Sequence, residues 1–266
     1  MKFKIKLVLK EASHDTIPIN YQYPLSAAIY KILNKANQEY AHFLHTSGYG
    51  KGYKLFTFSD LKGKFKVRGD RMQLLNNSVE FIINFHLPEA SRTFVEGLFK
   101  TQTIVIADKL SKATFEVATI LSLSHPWSKT MGDNEIAQLQ VRPISAIIAG
   151  VKTDEGKYKF IAPSDTRFID MLIYNWRNKI ETLYSQQIAN DAMLLIDVDY
   201  YPKPYRSRLI TIKANTPEET KIRGFLNFKL KLTAEKRFVE VLLNTGVGLY
   251  NAQGMGCLEG VESNNI

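Results

Sequence analysis

The chain has 266 residues, of which 45% are hydrophobic and 11% aromatic, and this composition supports folded cores and argues against a disordered protein. Its 35 basic and 26 acidic residues leave a net charge of +9, which predicts a polyanionic partner. No apolar run approaches the roughly 18 residues of a membrane-spanning helix, and a single cysteine, Cys257, excludes an internal disulfide and a cysteine-based zinc site. The length indicates two modest domains, at roughly 150 residues each, in a cytoplasmic protein with no membrane partner.

The first half of the chain predicts the order strand, helix, strand, strand, helix, strand. Lysines alternate with apolar residues over residues 2–9, which is typical of a half-buried strand and unlike a secretory leader. Apolar residues recur at helical spacing after Pro24, and a polar break at residues 34–37 separates a second short helix. The remaining elements of this half are expected at residues 53–83 (two or three short strands), from Pro88 (a helix) and at 114–123 (a strand).

The second half predicts the same order. Strands are expected at residues 140–149, 157–161, 193–199, 208–212 and 224–232 and from Met255, with helices at 164–183 and 234–243. Two βαββαβ units of about 130 residues indicate an α+β fold of two tandem ferredoxin-like domains. We place the boundary in the polar, glycine-containing segment 128–135, so that the N-terminal domain spans 1–132 and the C-terminal domain spans 133–266.

Basic residues are concentrated between residues 51 and 71, where only Asp60 and Asp70 oppose them. The members of this basic cluster are Lys51, Lys54, Lys62, Lys64, Lys66, Arg68 and Arg71. Aromatic residues are interleaved with them, a combination suited to single-stranded RNA, although we expect Phe56 and Phe58 in the core. A solvated basic face is the alternative. A membrane surface is less favoured because the sequence has no basic amphipathic helix with a clean apolar face.

The most specific local signal is a glycine loop, four glycines within eleven residues: Gly246, Gly248, Gly254 and Gly256. Glycine permits positive φ and close approach of a ligand, and successive backbone N–H groups in such a loop can face phosphate oxygens. The loop follows a predicted helix, which argues against a dinucleotide fingerprint, and it lacks the Gly-Lys-Ser/Thr ending of a P-loop. We therefore predict that it binds RNA. The alternative is a turn that packs tightly between a helix and a strand.

The loop pattern G-x-G-x5-G-x-G resembles the hallmark of the RAMP superfamily. Three further segments narrow the resemblance to the CRISPR repeat-processing endoribonucleases, the Cas-six family: residues 18–30 (PINYQYPLSAAIY), 43–45 (FLH) and 53–59 (YKLFTFS). Arg142-Pro143-Ile144 is similar to a Ser-Pro-Ile segment of the family, with arginine in place of serine. Residues 62–132 contribute no motif of their own.

The resemblance implies an endoribonuclease without metal or cofactor, which cuts CRISPR precursor RNA within its repeats and leaves a 2′,3′-cyclic phosphate and a 5′-hydroxyl. It implies proton transfer by His45, orientation or deprotonation of the 2′-OH by Tyr30, and stabilisation of the phosphate by Lys54. Lys51, between two glycines, is a second candidate for a phosphate contact. The implied partners are CRISPR repeat RNA and other subunits of an interference complex, and the protein is expected as a monomer or homodimer.

Geometry limits this assignment. In one continuous helix, Tyr30 and His45 would lie about 22 Å apart and could not share a phosphate. The break at residues 34–37 must therefore fold the second helix back, with Asn37 as its N-cap. His45 then falls at the C-terminal end of that helix, where the dipole favours a cation.

Several alternatives remain open on the residues alone. His42 shares the helical face of His45 and is a second candidate for the proton-transfer group. Glu39 with both histidines has the spacing of part of a metal site, although a solvated helix face is the better interpretation. Tyr30 is alternatively a core aromatic residue.

Two other classes of protein compete with a metal-independent nuclease. One is a noncatalytic RAMP subunit that binds guide RNA. The other is a metal-dependent nucleotidyl enzyme that uses Asp197 and Asp199, which alternate on one strand face, although a polar strand end explains the same pair.

Overall fold

The computed structural model describes residues 1–124, 126–127, 130–200, 204–214 and 216–261. It confirms the predicted α+β class, with two sheet-and-helix units that follow one another along the chain. None of the helices in these ranges is both long enough and apolar enough to cross a membrane. The predicted linker at 128–135 includes residues outside the described ranges, and the division between residues 132 and 133 stays a prediction.

Among the residues that the structure describes, the first half contains three α-helices and eight strands. They are β1 (Lys2–Leu9), β2 (Thr16–Pro18), α1 (Gln22–Ala36), α2 (Gln38–Thr46), β3 (Phe56–Phe58), β4 (Phe65–Arg68), β5 (Arg71–Leu74), β6 (Ser78–Phe85), α3 (Pro88–Thr101), β7 (Thr103–Ala107) and β8 (Lys112–Leu123). The main sheet is antiparallel in the order β3-β6-β1-β8-β7. Its first four strands have the order of a ferredoxin-like sheet, and β7 adds an edge strand that was not predicted.

Burial explains these elements. In β1 the alternation places Ile5 and Leu7 at 0% exposure, and α1 buries Leu25, Ile29 and Leu33 at the spacing of one helix face. Helix α1 packs against α3 and β7 over this core. Phe56 and Phe58, predicted as core residues, belong to it, as the structure confirms.

The basic cluster lies mostly on a second, three-stranded sheet in the order β2-β5-β4. Strand β4 and its flanking residues expose Lys62, Lys64, Lys66 and Arg68. Arg71 at the start of β5 differs, because it is paired with Asp108 and Asp70. This sheet is therefore a solvated basic surface with no aromatic side chains fully exposed between its cations.

The described part of the second half contains three α-helices and eight strands. They are β9 (Ile136–Pro143), β10 (Gly150–Lys152), β11 (Tyr158–Phe160), α4 (Arg167–Leu183), α5 (Gln186–Asp191), β12 (Leu195–Asp199), β13 (Arg206–Ile212), β14 (Thr220–Leu226), β15 (Lys229–Glu235), α6 (Lys236–Thr245) and β16 (Leu258–Gly260). The main sheet, β12-β15-β9-β16, is again the four-stranded ferredoxin-like arrangement. Hairpins β10–β11 and β13–β14 are additions to it.

The single strand predicted over residues 224–232 is wrong. Asn227 adopts a left-handed conformation (φ 64°) and turns the chain, so that β14 ends before it and β15 begins after it. Asparagine tolerates this conformation better than most residues. The strand predicted over 140–149 is also too long, since β9 ends at Pro143, which lacks the N–H that a strand needs to continue its ladder.

The two halves are joined by hydrogen bonds between residues far apart in sequence. The Ser26 hydroxyl donates to the Ala252 carbonyl at 2.7 Å, and the Thr57 hydroxyl donates to the Met255 carbonyl at 3.0 Å. Arg208 of the β13–β14 hairpin forms an ion pair with Asp60 at 2.8 Å. These contacts fix a cleft between the halves.

Candidate active site

Tyr30, His45 and Lys54 meet at one place in the structure. The rings of Tyr30 and His45 lie edge to face with centroids 5.5 Å apart, and the Lys54 ammonium donates to the backbone carbonyl of His45 at 3.2 Å. The resemblance named these three residues from separate segments. The structure brings all three together, and their action on a common phosphate stays a prediction.

The helix break predicted from the sequence makes this arrangement possible. Helix α1 ends at Ala36, Asn37 is extended, and its side chain accepts a hydrogen bond at 2.9 Å from the backbone N–H of Tyr40. Asn37 is therefore the N-cap of α2, as predicted. Helix α2 folds back along α1 and carries His45 in its last turn.

Lys54 is aimed by the turn that follows α2. The Tyr49 N–H donates to the Tyr53 carbonyl at 2.7 Å, which closes the turn. Immediately after Lys54, the buried Leu55 has a φ of 53°, a conformation rare for a leucine side chain. The chain direction at Lys54 is thus set by a tight turn on one side and a buried, left-handed residue on the other.

All three residues line a cleft of about 470 Å³ between the two halves. The first half contributes α1, the last turn of α2 and the segment that leads into β3, and the second half contributes α4, the end of α6 and the glycine loop. The lining of the cleft includes the side chains of Tyr30, His45, Tyr53, Lys54, Asn175, Lys179, Tyr250 and Gln253. Among the described residues, His45 is the only histidine that lines this cleft.

Burial shifts the proton equilibria of the cleft. It raises the pKa of Tyr30 to about 12, so the phenol keeps its proton at neutral pH. It lowers the pKa of Lys54 from its usual value, because the ammonium is partly removed from water. Tyr30 is consequently a hydrogen-bond donor here, and of its two predicted roles the pKa favours orientation of the 2′-OH over deprotonation.

Lys179 is a residue of the cleft that the sequence analysis missed. Its side chain is 1% exposed, and its Nζ donates to the Gly246 carbonyl at 2.6 Å and to the Asn251 Oδ1 at 2.7 Å. Desolvation lowers its pKa to about 7. The sequence does carry a signal for this burial. Lys179 comes seven residues after Leu172 and three after Trp176, so it lies on the same apolar face of α4.

The glycine loop is tightly packed. All four glycines are buried with positive φ, between 69° and 81°. A side chain on Gly254 would approach the Phe58 ring to 2.4 Å, and one on Gly256 would meet the Val247 carbonyl at 1.9 Å. Packing against the first half thus accounts for Gly254, packing within the loop accounts for Gly256, and RNA contact by the glycines stays a prediction.

The other candidates lie elsewhere. Lys51 reaches α4, where its ammonium contacts Asn178 at 2.8 Å and Glu181 at 3.0 Å. His42 is exposed on α2 and does not line the cleft; it lies with Glu39 and His45 along a shallower depression on the outer side of α2.

In the part of the chain that the structure describes, no three His, Cys, Asp or Glu side chains lie together as a metal site would require. Asp197 and Asp199 lie on β12, opposite Lys231 and Lys229 of β15 in the antiparallel register. Opposite charges at these positions are typical of cross-strand pairs. The pair is therefore explained as the polar face of an edge strand.

The fold and the cleft define a class of protein: two tandem ferredoxin-like units that place a histidine, a tyrosine and a lysine beside a glycine-rich loop. Residues 16–119 match the family profile "CRISPR-associated protein Cas6, N-terminal", and residues 130–260 match "CRISPR associated protein Cas6, C-terminal". The chain belongs to the Cas6 family.

Individual relatives agree with this assignment. "CRISPR-associated endoribonuclease Cas6 1" of Methanocaldococcus jannaschii is 24% identical over 98% of this chain and 94% of its own length. A solved structure described as the product of a Cas6-related gene from Pyrococcus furiosus is 20% identical, with a TM-score of 0.78 over 99% of both chains. A structure described as a RAMP protein that binds different RNA substrates is 18% identical, with a TM-score of 0.75 over 98% of this chain and 100% of its own. These structures show that the fold is shared.

Proposed function

We propose that this protein is an endoribonuclease that cuts CRISPR precursor RNA within its repeats, by a metal-independent transesterification. The observation that carries the proposal is the convergence of Tyr30, His45 and Lys54 on one cleft of a Cas6-family fold. Each residue supplies one requirement of RNA self-cleavage: a positioned 2′-OH, a proton carrier and a cation beside the phosphate.

The reaction that these groups support is an in-line displacement at phosphorus. The 2′-oxygen loses its proton and forms a bond to phosphorus, while the bond from phosphorus to the 5′-oxygen breaks and that oxygen gains a proton. The products are a 2′,3′-cyclic phosphate and a 5′-hydroxyl. No water is consumed and no oxidation state changes, so the step needs no co-reactant.

His45 carries one of the two proton transfers. It is the only histidine lining the cleft among the described residues, so no second histidine carries the other transfer, which we assign to solvent or to the substrate itself. A positioned acid or base of this type contributes roughly 10²–10⁴-fold to the rate. Which of the two transfers it carries is decided by the pH dependence of single-turnover cleavage.

Tyr30 and Lys54 hold the reacting groups. Tyr30 keeps its proton, because burial raises its pKa to about 12, and its hydroxyl is suited to orienting the 2′-OH. The Lys54 ammonium, held at the His45 carbonyl, offsets the negative charge that develops on the phosphorane oxygens. Because both groups lie in a partly desolvated cleft, their interactions with the phosphate are stronger than in water.

The proposed partner is CRISPR repeat RNA. The exposed cations of β4 and its flanks, Lys62, Lys64, Lys66 and Arg68, supply a sequence-independent attraction for the RNA backbone, which weakens as salt rises. Lys51 and the glycine loop are proposed to contact the RNA near the cut. A protein that keeps the mature guide RNA bound would join an interference complex together with that RNA. We propose that the protein itself is a monomer or a homodimer.

The test is cleavage of the repeat RNA encoded in the same genome, in EDTA, with a matched RNA that carries one 2′-deoxy nucleotide at the cut site. We expect the normal RNA to be cut to a cyclic phosphate product and the deoxy RNA to resist. Cleavage that EDTA abolishes would contradict the proposal and favour metal-dependent chemistry. Tight binding without cleavage would instead identify a noncatalytic guide-RNA subunit.

A further inference from the structure

Two amide side chains of the cleft each have a buried carbonyl oxygen with no hydrogen-bond donor among the described residues. Asn175, on α4, is 7% exposed, and its Oδ1 atom has no donor among the described residues. Gln253, in the short 3-10 helix Asn251–Gln253, likewise has a buried Oε1 atom without a donor. An unpaired buried acceptor lowers the stability of a fold, so two of them in one cleft point to a ligand that supplies the donors.

Aromatic rings flank the same space. Tyr53 from the first half and Tyr250 from the second half both line the cleft and are half-buried. Tyr250 has φ 60° and ψ 30°, a left-handed conformation that is costly for a bulky residue, although four glycines stand in the same loop. The Tyr250 ring contacts Phe160, with the ring centroids 6.4 Å apart, and the part of it that lines the cleft is available for stacking.

The cleft also lacks an acidic lining. Its charged side chains are the cations Lys54 and Lys179 together with the imidazole of His45, and no Asp or Glu belongs to it among the described residues. A flat, polar and uncharged group attached to a phosphate backbone matches this combination of rings, amides and cations. That description fits a nucleobase of single-stranded RNA.

We propose that the floor of the cleft is a subsite for one nucleobase next to the scissile phosphate, stacked on Tyr250 or Tyr53 and read by Asn175 and Gln253. The inference rests on the proposed function, because it takes the phosphate beside His45 and Lys54 as the one that is cut. The two unpaired atoms are both carbonyl oxygens, and an exocyclic amino group offers two N–H donors whereas uracil offers one ring N–H, so we assign the subsite to adenine, cytosine or guanine.

The test measures the affinity of the protein for an uncleavable repeat RNA, which carries a 2′-deoxy nucleotide at the cut site. In a series of such RNAs, each amino-bearing base within three nucleotides of the cut is replaced, one at a time, by its analogue without the amino group. These analogues are purine for adenine, 2-pyrimidinone for cytosine and inosine for guanine. We expect one position at which wild-type affinity falls roughly tenfold or more.

The variant Asn175→Leu is expected to lose that discrimination, so that both RNAs bind with equal, weakened affinity. Its melting temperature is expected to stay the same or rise, because an unpaired amide is replaced by an apolar side chain of similar size. Gln253→Leu is a second variant with the same expectation. Gln138→Leu, an exposed amide on β9, is the matched control and should keep the full discrimination.

The proposed subsite would be overturned if none of the analogues changed the affinity of the protein for the RNA. It would also be overturned if Asn175→Leu and Gln253→Leu both kept the wild-type discrimination. A lowered melting temperature with preserved discrimination would assign Asn175 a structural role instead. Because binding is measured with uncleavable RNA, these outcomes do not depend on whether the normal RNA is cut. Failure of cleavage alone would count against the proposed function only.

Discussion

Gly254 of the second half lies directly against the ring of Phe58 in the first half. A side-chain carbon built on Gly254 would approach the ring to 2.4 Å, whereas Phe58 itself is completely buried and cannot move aside. The glycine loop is therefore part of the seal between the two halves. This relationship explains the glycine better than a ligand does.

The contact leads to a prediction about stability. Gly254→Ala should lower the free energy of unfolding by roughly 2–5 kcal/mol, the sum of left-handed strain and overpacking. Gly69→Ala is the matched control, because Gly69 also has positive φ but no atom within 4 Å of the built carbon, so only about 1–2 kcal/mol of strain is expected. Urea denaturation of both variants measures the difference, and equal losses would contradict packing as the cause.

His45→Ala should slow cleavage of the repeat RNA by at least roughly a hundredfold while binding persists, because the proton carrier is removed and no cation contact is lost. His42→Ala is the control on the same helix. His42 is exposed and outside the cleft, so its loss should leave the single-turnover rate within about threefold of wild type. The opposite ranking of the two variants would move the proton-transfer role to His42.

Tyr30→Phe removes one hydroxyl and keeps the ring that packs against His45 and Phe56. We expect an unchanged melting temperature and a fall in the cleavage rate of roughly ten- to a hundredfold. Because the pKa of Tyr30 is raised to about 12, the wild-type rate should show no inflection from this phenol between pH 6 and 9. A Tyr30→Phe rate equal to wild type would make Tyr30 a packing residue.

The roles of Lys54 and Lys51 are distinguished by comparing the cleavage rate and the RNA affinity of their alanine variants. Lys54→Ala should reduce the single-turnover rate roughly a hundredfold, since the cation beside the phosphate is lost. Lys51→Ala should mainly weaken RNA binding. It also removes the contact of the Lys51 ammonium with Asn178 and Glu181 of α4. Rate and affinity are measured separately, by single-turnover cleavage and by titration of the uncleavable RNA. A larger rate loss in Lys51→Ala would reverse the assignment.

Lys179 makes stability depend on pH. Its pKa is about 7 in the folded protein and near 10.4 in an unfolded chain, so between these values the unfolded state binds more protons. The free energy of unfolding should therefore rise as pH increases from 7 towards 10. In Lys179→Met this contribution is absent, and urea denaturation at pH 7 and 9 should show a smaller increase. Equal increases in the two proteins would contradict the low pKa.

Much of the fold is readable from the sequence where local chemistry and burial agree. Asn37 caps α2 because its side chain satisfies a helix N–H, and Pro88 begins α3 because it lacks an N–H to satisfy. The edge strand β7 was not predicted because five residues of alternating pattern carry little information. The turn from α3 into β7 is made at Gln102, whose backbone is in the left-handed conformation.

The site was predicted in part. Its first-half residues lie within a short stretch of sequence, so one helix break places Tyr30 and His45 together. Lys179 and Asn175 come from α4, more than 100 residues away, and only the packing of the two halves assigns them to the same cleft. The glycine pattern predicted a backbone that needs positive φ or close approach of a neighbour, but it could not distinguish contact with RNA from contact with Phe58.

The hydrogen bond between Ser26 and Ala252 spans 226 residues of chain. Closing so long a loop is entropically costly and slows folding, whereas the widest pairing in the first main sheet, Lys2 with Leu123, spans about half that length of chain. We therefore expect the two units to acquire their sheets first and to dock late, with the cleft assembled in the final step. A chain in which docking is incomplete would keep two ordered units and have no functional centre.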